Sequence, residues 1–252
     1  MHLSIIIATF NCKEQLEETL GSLLEQDFNE YEVLIIDGGS TDGTLDTIKS
    51  IDGKLGNRVR WISEPDDGVY SAMNKGISKA HGRYLQFMNA GDKYTTSEVL
   101  SNVFALADDD PDIMFGDIYL TDEHFNTLHH VTYSEFSLKQ LRCRGTATCN
   151  HQAFFIRREM APMFSDIYKI KGELNWYIDI VQQHPGIYAK HIDAPLVLYA
   201  LGGLGYKRFW SNLREWILLV QRRFGTSQNI HNIPRYWRFI KYRYPRLKKL
   251  PF

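Results

Sequence analysis

The chain has 252 residues, 44% of them hydrophobic and 23% charged, with a formal net charge of -1. That length can bury a sizeable core and that composition excludes a disordered chain, while the near-neutral balance excludes any global attraction to nucleic acid. The three cysteines, Cys12, Cys143 and Cys149, lack C-x-x-C spacing, which argues against a disulfide framework or a structural zinc site and fits a reducing compartment.

The apolar start, Met1 to Phe10, has no basic stretch and stops at Asn11, and no later run reaches spanning length, so the expected location is the cytoplasm. Leu3 to Ile7 reads as a buried strand. Leu16, Leu20, Leu23 and Leu24 recur at helical spacing within Glu14 to Gln26, and Tyr31 to Ile36 returns to strand composition. After Asp37 comes Gly-Gly-Ser-Thr-Asp-Gly, whose Ser40 and Asp42 are expected to cap a helix through Leu45 and Ile48. A strand over Val59 to Ile62, a breaker-rich loop over Glu64 to Gly68, a helix over Val69 to Ala80 and a strand over Tyr84 to Met88 follow. That last strand runs into Asn89-Ala90-Gly91-Asp92, ahead of a helix over Thr95 to Leu106.

Strands alternating with helices in this way write a parallel sheet, and open parallel sheets bind ligands beyond the carboxyl ends of their strands. Four polar loops therefore share one crevice. From Asp112 to Ile156 the pattern is irregular: a strand over Asp112 to Phe115, a helix near Ser137 to Leu141 and a strand over Gln152 to Ile156. Beyond Glu215 no acidic residue occurs, while Arg222, Arg223, Arg235, Arg238, Lys241, Arg243, Arg246, Lys248 and Lys249 accumulate among aromatics.

A sugar nucleotide presents a base, a diphosphate and a sugar, so its enzyme needs an acceptor for the base imide, cations for the phosphates and a base for the incoming hydroxyl. Asp37, at the end of the second strand, is placed to accept from a uracil imide, with Thr9 and Asn11 placed for the base or ribose.

Ser4-Ile5-Ile6-Ile7-Ala8-Thr9-Phe10-Asn11, Ile35-Ile36-Asp37-Gly38-Gly39-Ser40-Thr41-Asp42-Gly43-Thr44 and Asn74-Lys75-Gly76-Ile77, in that order, resemble the family 2 glycosyltransferases of the GT-A fold. Ser63-Glu64-Pro65-Asp66-Asp67-Gly68-Val69-Tyr70-Ser71-Ala72-Met73 looks like the branch serving bacterial surface polysaccharides, and Cys149-Asn150-His151-Gln152 and Leu201-Gly202-Gly203 look like its later landmarks. The resemblance implies an α/β fold with a mostly parallel central sheet and flanking helices. It also implies a nucleotide-diphospho-sugar donor, usually UDP-linked, a divalent cation (Mn2+ or Mg2+) and inversion at the anomeric carbon. It places Thr9, Asn11, Asp37, Asp67, Lys75 and Asn89 at the donor.

Where the family commonly has Asp-x-Asp-Asp, this chain has Asn89-Ala90-Gly91-Asp92, so Asp92 is the expected metal contact, with His151 able to complete the ligation. Their alternatives are a helix-start aspartate and a hydrogen-bonded core histidine. Glu173, at the start of a helical pattern where the family's acidic base tends to occur, is the expected base; its alternative is a helix-start carboxylate. Asp179 is second choice, and the family's acidic position also aligns with Asn175.

The expected organisation is a GT-A domain over 1–215, with a nucleotide-sugar-binding half at 1–110 and an acceptor-binding half at 111–215, followed by a helical, basic, aromatic extension over 216–252. Such an extension suits peripheral contact with the inner leaflet, where a polyprenyl-diphosphate-linked saccharide is the expected acceptor, or else a docked helix with a solvated basic face. A nucleotidyltransferase would show a glycine-rich loop with a basic residue after the first strand, and Ala8-Thr9-Phe10-Asn11-Cys12 has no glycine. A catalytically weak nucleotide-sugar-binding subunit is the non-enzymatic alternative.

Overall fold

The computed structural model describes residues 1–201 and 208–243. Gly202, Gly203, Tyr244, Arg246, Lys248 and Lys249 lie outside the described residues.

Strands β1 (Leu3–Thr9), β2 (Tyr31–Asp37), β3 (Val59–Ser63) and β4 (Tyr84–Asn89) form a parallel block in the order β3-β2-β1-β4. The first two are nearly unbroken apolar runs because both of their faces are covered. Helices α1 (Lys13–Leu24), α2 (Thr44–Leu55) and α3 (Val69–Lys79) make the crossovers. Gly76 lets α3 lie close on β1, since a Cβ there would stand 2.4 Å from Ile6 Cγ2.

The second half comprises β5 (Lys93–Tyr94), α4 (Val99–Ala105), β6 (Ile113–Thr121), β7 (Thr127–Val131), α5 (Leu138–Arg144), β8 (Phe154–Arg157), α6 (Gly172–Gln183) and β9 (Ala189–Ala200). The sheet continues β4-β8-β6-β9-β5, with β8 antiparallel to both neighbours, β9 parallel to β6, and β7 paired to β6. The sequence showed only the first part of β6 and neither β7 nor β9. An apolar wall holds α6: Trp176 is fully buried, stacks on Phe164 at 4.8 Å and meets Phe87 edge-on at 5.6 Å.

Helix α7 (Phe209–Phe224) runs straight through the expected 215/216 boundary, so the extension begins with α7 rather than after Glu215. Helix α8 (Thr226–Arg243) docks on α7. Phe239 stacks on Phe209 at 4.7 Å, and Tyr236 meets Trp216 edge-on at 4.8 Å. These tail aromatics therefore face the protein rather than outward. Among the described residues, no helix is long and apolar enough to cross a membrane.

Candidate functional site

The ends of β1 and β2, the β3–α3 loop and α3 open onto a cleft of about 1060 Å³, closed on the far side by Met163, Phe164, Tyr168, Lys169 and Arg208. Of the residues expected at the donor, Thr9, Asp67 and Lys75 line it. Phe10, 62% exposed, stands at its edge, and a Cβ on Gly38 would lie 3.2 Å from both the Phe10 ring and the Asp66 carboxylate. A glycine at 38 thus keeps the floor open.

The loops after β1 and β2 are laced together. Asn11, with a positive φ of 48°, donates its N–H to the Ser40 hydroxyl at 2.8 Å and accepts the Thr41 N–H at 2.8 Å through its side chain. Asp42 accepts the N–H groups of Lys13 and Thr44. Ser40 does not cap α2, because its hydroxyl donates to Asp37.

Asp37 is fully buried, and its expected role changes accordingly. Its Oδ1 accepts the Ser40 hydroxyl, and its Oδ2 accepts the N–H groups of Gly39 at 3.1 Å and Ser40 at 3.0 Å and the Ser63 hydroxyl at 2.6 Å. Three donors converge on Oδ2 and one on Oδ1, so only Oδ1 keeps a free lone pair, on a side chain with no exposed surface for an imide to reach. Asp37 shapes the loop that a base would touch.

Three cations line the cleft. Lys75 Nζ is 2.8 Å from Glu64, Lys169 Nζ donates to the Asp67 carbonyl at 3.2 Å, and Arg208 stands at the far wall. Three aspartates, Asp66, Asp67 and Asp166, line the same cleft, so the cations suit the anionic part of a ligand that also brings hydroxyl or N–H groups for the carboxylates.

Asn89, Asp92, His151 and Glu173 do not line the cleft; they gather in a second group in which Asp92 is buried and the other three are partly buried. His151 Nε2 lies 3.1 Å from the Asn89 amide nitrogen, and His151 Nδ1 lies 3.2 Å from Glu173 Oε2. Burial works against a charged imidazole, but Glu173 and Asp92 outweigh it and lift the His151 pKa above the ordinary histidine value. Burial likewise works against the Glu173 carboxylate, and His151, Lys171 and Tyr177 outweigh it, holding Glu173 below the usual range. Glu173 is therefore a partly buried, ionised carboxylate.

Asp92 is 4% exposed, its Oδ2 accepting from Gln152 Nε2 at 2.8 Å and its Oδ1 from the Ala200 N–H at 3.2 Å. Burial pushes its carboxyl up to about 7, although His151, Gln152 and Ala200 pull the other way. Among the described residues no group of three or more His, Cys, Asp or Glu side chains could hold a metal ion. Asp92 and His151 so arranged do not fit the expected cation: both carboxylate oxygens are engaged, and Asn89 and Glu173 face the two ring nitrogens.

The other acidic candidate is committed elsewhere. Asp179 accepts from Asn175 Nδ2 at 2.7 Å and pairs with Arg223 of α7. Tyr70 links the cleft to Glu173: its ring lines the cleft, its hydroxyl donates to the Ile170 carbonyl at 2.9 Å, and a Cβ on Gly172 would strike it at 2.5 Å. The sequence reading gave no role to Phe10, Tyr70, Lys169 or Glu215. Tyr70 sat within a quoted motif, and Glu215 stood out only as the last acidic residue.

The profile of Glycosyl transferase family 2 matches residues 4–162, more than half of the chain, and the chain belongs to that family. Glu173 lies beyond the matched stretch. A PGL/p-HBAD biosynthesis glycosyltransferase of Mycobacterium bovis is 34% identical over 157 residues, 62% of this chain and 59% of that protein. The match therefore spans less than two thirds of the mycobacterial relative. The poly(ribitol-phosphate) beta-N-acetylglucosaminyltransferase TarS of Staphylococcus aureus is 32% identical over 111 residues, 43% of this chain and 19% of that protein. Among solved structures, S. aureus TarS 1–349 in complex with UDP superposes with a TM-score of 0.66 at 18% identity, covering 86% of this chain and 65% of that one. The mannosyltransferase PcManGT of Pyrobaculum calidifontis, in complex with GDP-Man and Mn2+, superposes at 0.61 and 16% identity, covering 86% of this chain and 62% of that one. These superpositions establish the GT-A fold that the sequence led us to expect.

Proposed function

We propose that the protein is an inverting glycosyltransferase that moves a hexose or N-acetylhexosamine from a UDP-linked donor to a hydroxyl of a lipid-linked saccharide in bacterial polysaccharide biosynthesis. The observation that carries this reading is the adjacency of a cleft lined by three cations and three aspartates to a partly buried, ionised carboxylate, joined through Tyr70. The UDP and UDP-GlcNAc complexes of TarS support the donor class.

In the proposed reaction the donor diphosphate lies along Lys75, Lys169 and Arg208, with the base near Thr9, Phe10 and Gly38. Glu173 takes the proton of the acceptor hydroxyl as its oxygen attacks the anomeric carbon. The bond from that carbon to the diphosphate oxygen breaks, and UDP leaves with the electron pair. His151 keeps Glu173 ionised for this task, at some loss of basicity. A divalent cation, if bound, would neutralise diphosphate charge, but Asp92 and His151 as arranged do not hold one, and no step is routed through it.

The lipid-linked acceptor is supported by the outer faces of α7 and α8. Trp210, Ile217, Leu218, Ile230 and Ile233 are exposed there, among Arg214, Arg222 and Arg238. That combination suits an anionic leaflet.

The closed Asp92 favours one second reading, a nucleotide-sugar-binding subunit without turnover. Incubation with UDP-glucose, UDP-galactose, UDP-GlcNAc and UDP-GalNAc, with assay of released UDP, separates the two. Release from one donor above the buffer rate is expected; tight donor binding with no release under any condition would favour the binding subunit.

A further inference from the structure

The turn that leads into α6 is suspended between two other helices. On one side the Glu215 carboxylate of α7 accepts three successive backbone N–H groups: Lys169 through Oε1 at 3.2 Å, and Ile170 and Lys171 through Oε2 at 2.8 and 2.9 Å. On the other side Tyr70 of α3 donates its hydroxyl to the Ile170 carbonyl at 2.9 Å. Both backbone groups of Ile170 are thus held, two residues before Gly172 begins α6 and three before Glu173.

The same face of α7 grips α6 again. Arg223, about two turns beyond Glu215, donates Nε and Nη2 to Asn175 Oδ1 at 3.1 and 2.7 Å and pairs with Asp179. Glu173 therefore lies between two points of attachment, the 169–171 turn and Asn175, both made by α7. Gly172 closes the third side: a Cβ there would stand 2.5 Å from the Tyr70 ring, so the turn has no room to move toward α3.

A carboxylate bound by three N–H groups makes charge-assisted hydrogen bonds, stronger than neutral ones and fixed in direction. Misplacement of a reacting group by about 1 Å costs on the order of a hundredfold in rate, so the hold on this turn bears on chemistry as well as on stability.

We infer that Glu215 is a positioning residue, which acts through the N–H groups of Lys169, Ile170 and Lys171 to fix the Glu173 carboxylate against the acceptor hydroxyl. Arg223 is its counterpart on the next turns of α6. Helix α7, whose part from residue 216 onward the sequence assigns to a basic extension, is thereby part of the active-site frame. This inference rests on Glu173 being the base.

The test compares Glu215→Ala, Glu215→Gln and Arg223→Met in UDP release, using whichever donor of the four-member UDP-sugar panel the wild-type protein turns over fastest. Calorimetric donor affinity and thermal unfolding are measured on the same preparations. Glu215→Ala is expected to lower kcat at least tenfold with donor affinity within about threefold of wild type. Glu215→Gln keeps a carbonyl oxygen for the Ile170 and Lys171 N–H groups and is expected to recover most of that loss. Arg223→Met is expected to lower kcat in the same sense, and it carries the test if Glu215→Ala does not fold. Wild-type kcat in folded Glu215→Ala, or a loss matched by lost donor affinity, overturns the inference, as does wild-type kcat in Arg223→Met where Glu215→Ala does not fold. Glu173→Gln runs alongside: full turnover in that variant overturns the base and this inference together. Loss there with normal turnover in Glu215→Ala overturns this inference alone.

Discussion

His151 Nδ1 lies 3.2 Å from the Glu173 carboxylate while its Nε2 lies 3.1 Å from the Asn89 side-chain amide. Glu173 and Asp92 raise the imidazole pKa against burial, and the Asn89 amide can answer either state of the ring, donating to a bare Nε2 through its nitrogen or accepting from a protonated one through its oxygen. The β4 loop residue Asn89 thereby sets the orientation of the ring that holds the base. This gives Asn89 a part in the second group rather than direct contact within the cleft.

Asp37→Ala is expected to destabilise the protein, not simply to weaken nucleotide binding in an intact fold. Removal of the carboxylate leaves two N–H groups and two hydroxyls without their acceptor, at a cost of about 3 kcal/mol. Urea unfolding measures it. A midpoint equal to wild type would show that the loop does not depend on Asp37.

Stability should fall as pH rises toward neutrality. The Asp92 carboxyl is raised from 3.8 to about 7, so its contribution is complete below 3.8 and is lost as pH climbs through about 7. The raised His151 contributes in the same direction, whereas the lowered Glu173 contributes stability that is lost as pH falls below 4.5. Denaturation midpoints across this window should decline in the wild type and decline less in Asp92→Asn. An equal decline in both would remove Asp92 as the source.

Gly172→Ala should disturb cleft and base at once. The added methyl meets the Tyr70 ring at 2.5 Å, and such overpacking costs about 1 to 3 kcal/mol. Thermal unfolding should show the loss, and donor affinity should drop as Tyr70 is displaced from the cleft wall. Unchanged stability and affinity would mean that Tyr70 moves without consequence.

The tail is better tested by its outward residues than by truncation. Removal of α8 would strip Tyr236 and Phe239 from α7, whereas Ile230 and Ile233 are exposed and support no core. Ile230→Ser with Ile233→Ser should weaken binding to vesicles containing phosphatidylglycerol at low salt, and added salt should weaken the wild type further, since each basic residue near such a surface contributes about 1 kcal/mol. If the wild type ignores these vesicles, α7 and α8 serve only to hold α6.

The parallel half was legible because its signals are local: apolar runs at β1 and β2, leucines at helical spacing in α1, and breakers at the Asp37 and Glu64 loops. Strand β9 was not, because Pro195 interrupts it and sits opposite Asp117 where the register slips, a place where the ladder has no need of its N–H. The site was legible to the extent that loops carry it. Thr9, Asp67 and Lys75, from three separate segments, line one cleft. The Ser63 bond to Asp37, the closure of Asp92 and the hold of Glu215 on the 169–171 turn depend on partners 26 to 108 residues away, which no local pattern displays.

The most direct test of Glu173 as the base in sugar transfer is the rate of UDP release by Glu173→Gln beside its affinity for UDP. Gln keeps the size of the side chain and removes the charge that accepts the proton. Turnover should fall about a hundredfold or more while UDP affinity stays near wild type, because Glu173 lies outside the cleft lining. Wild-type turnover in a folded Glu173→Gln protein would contradict the assignment.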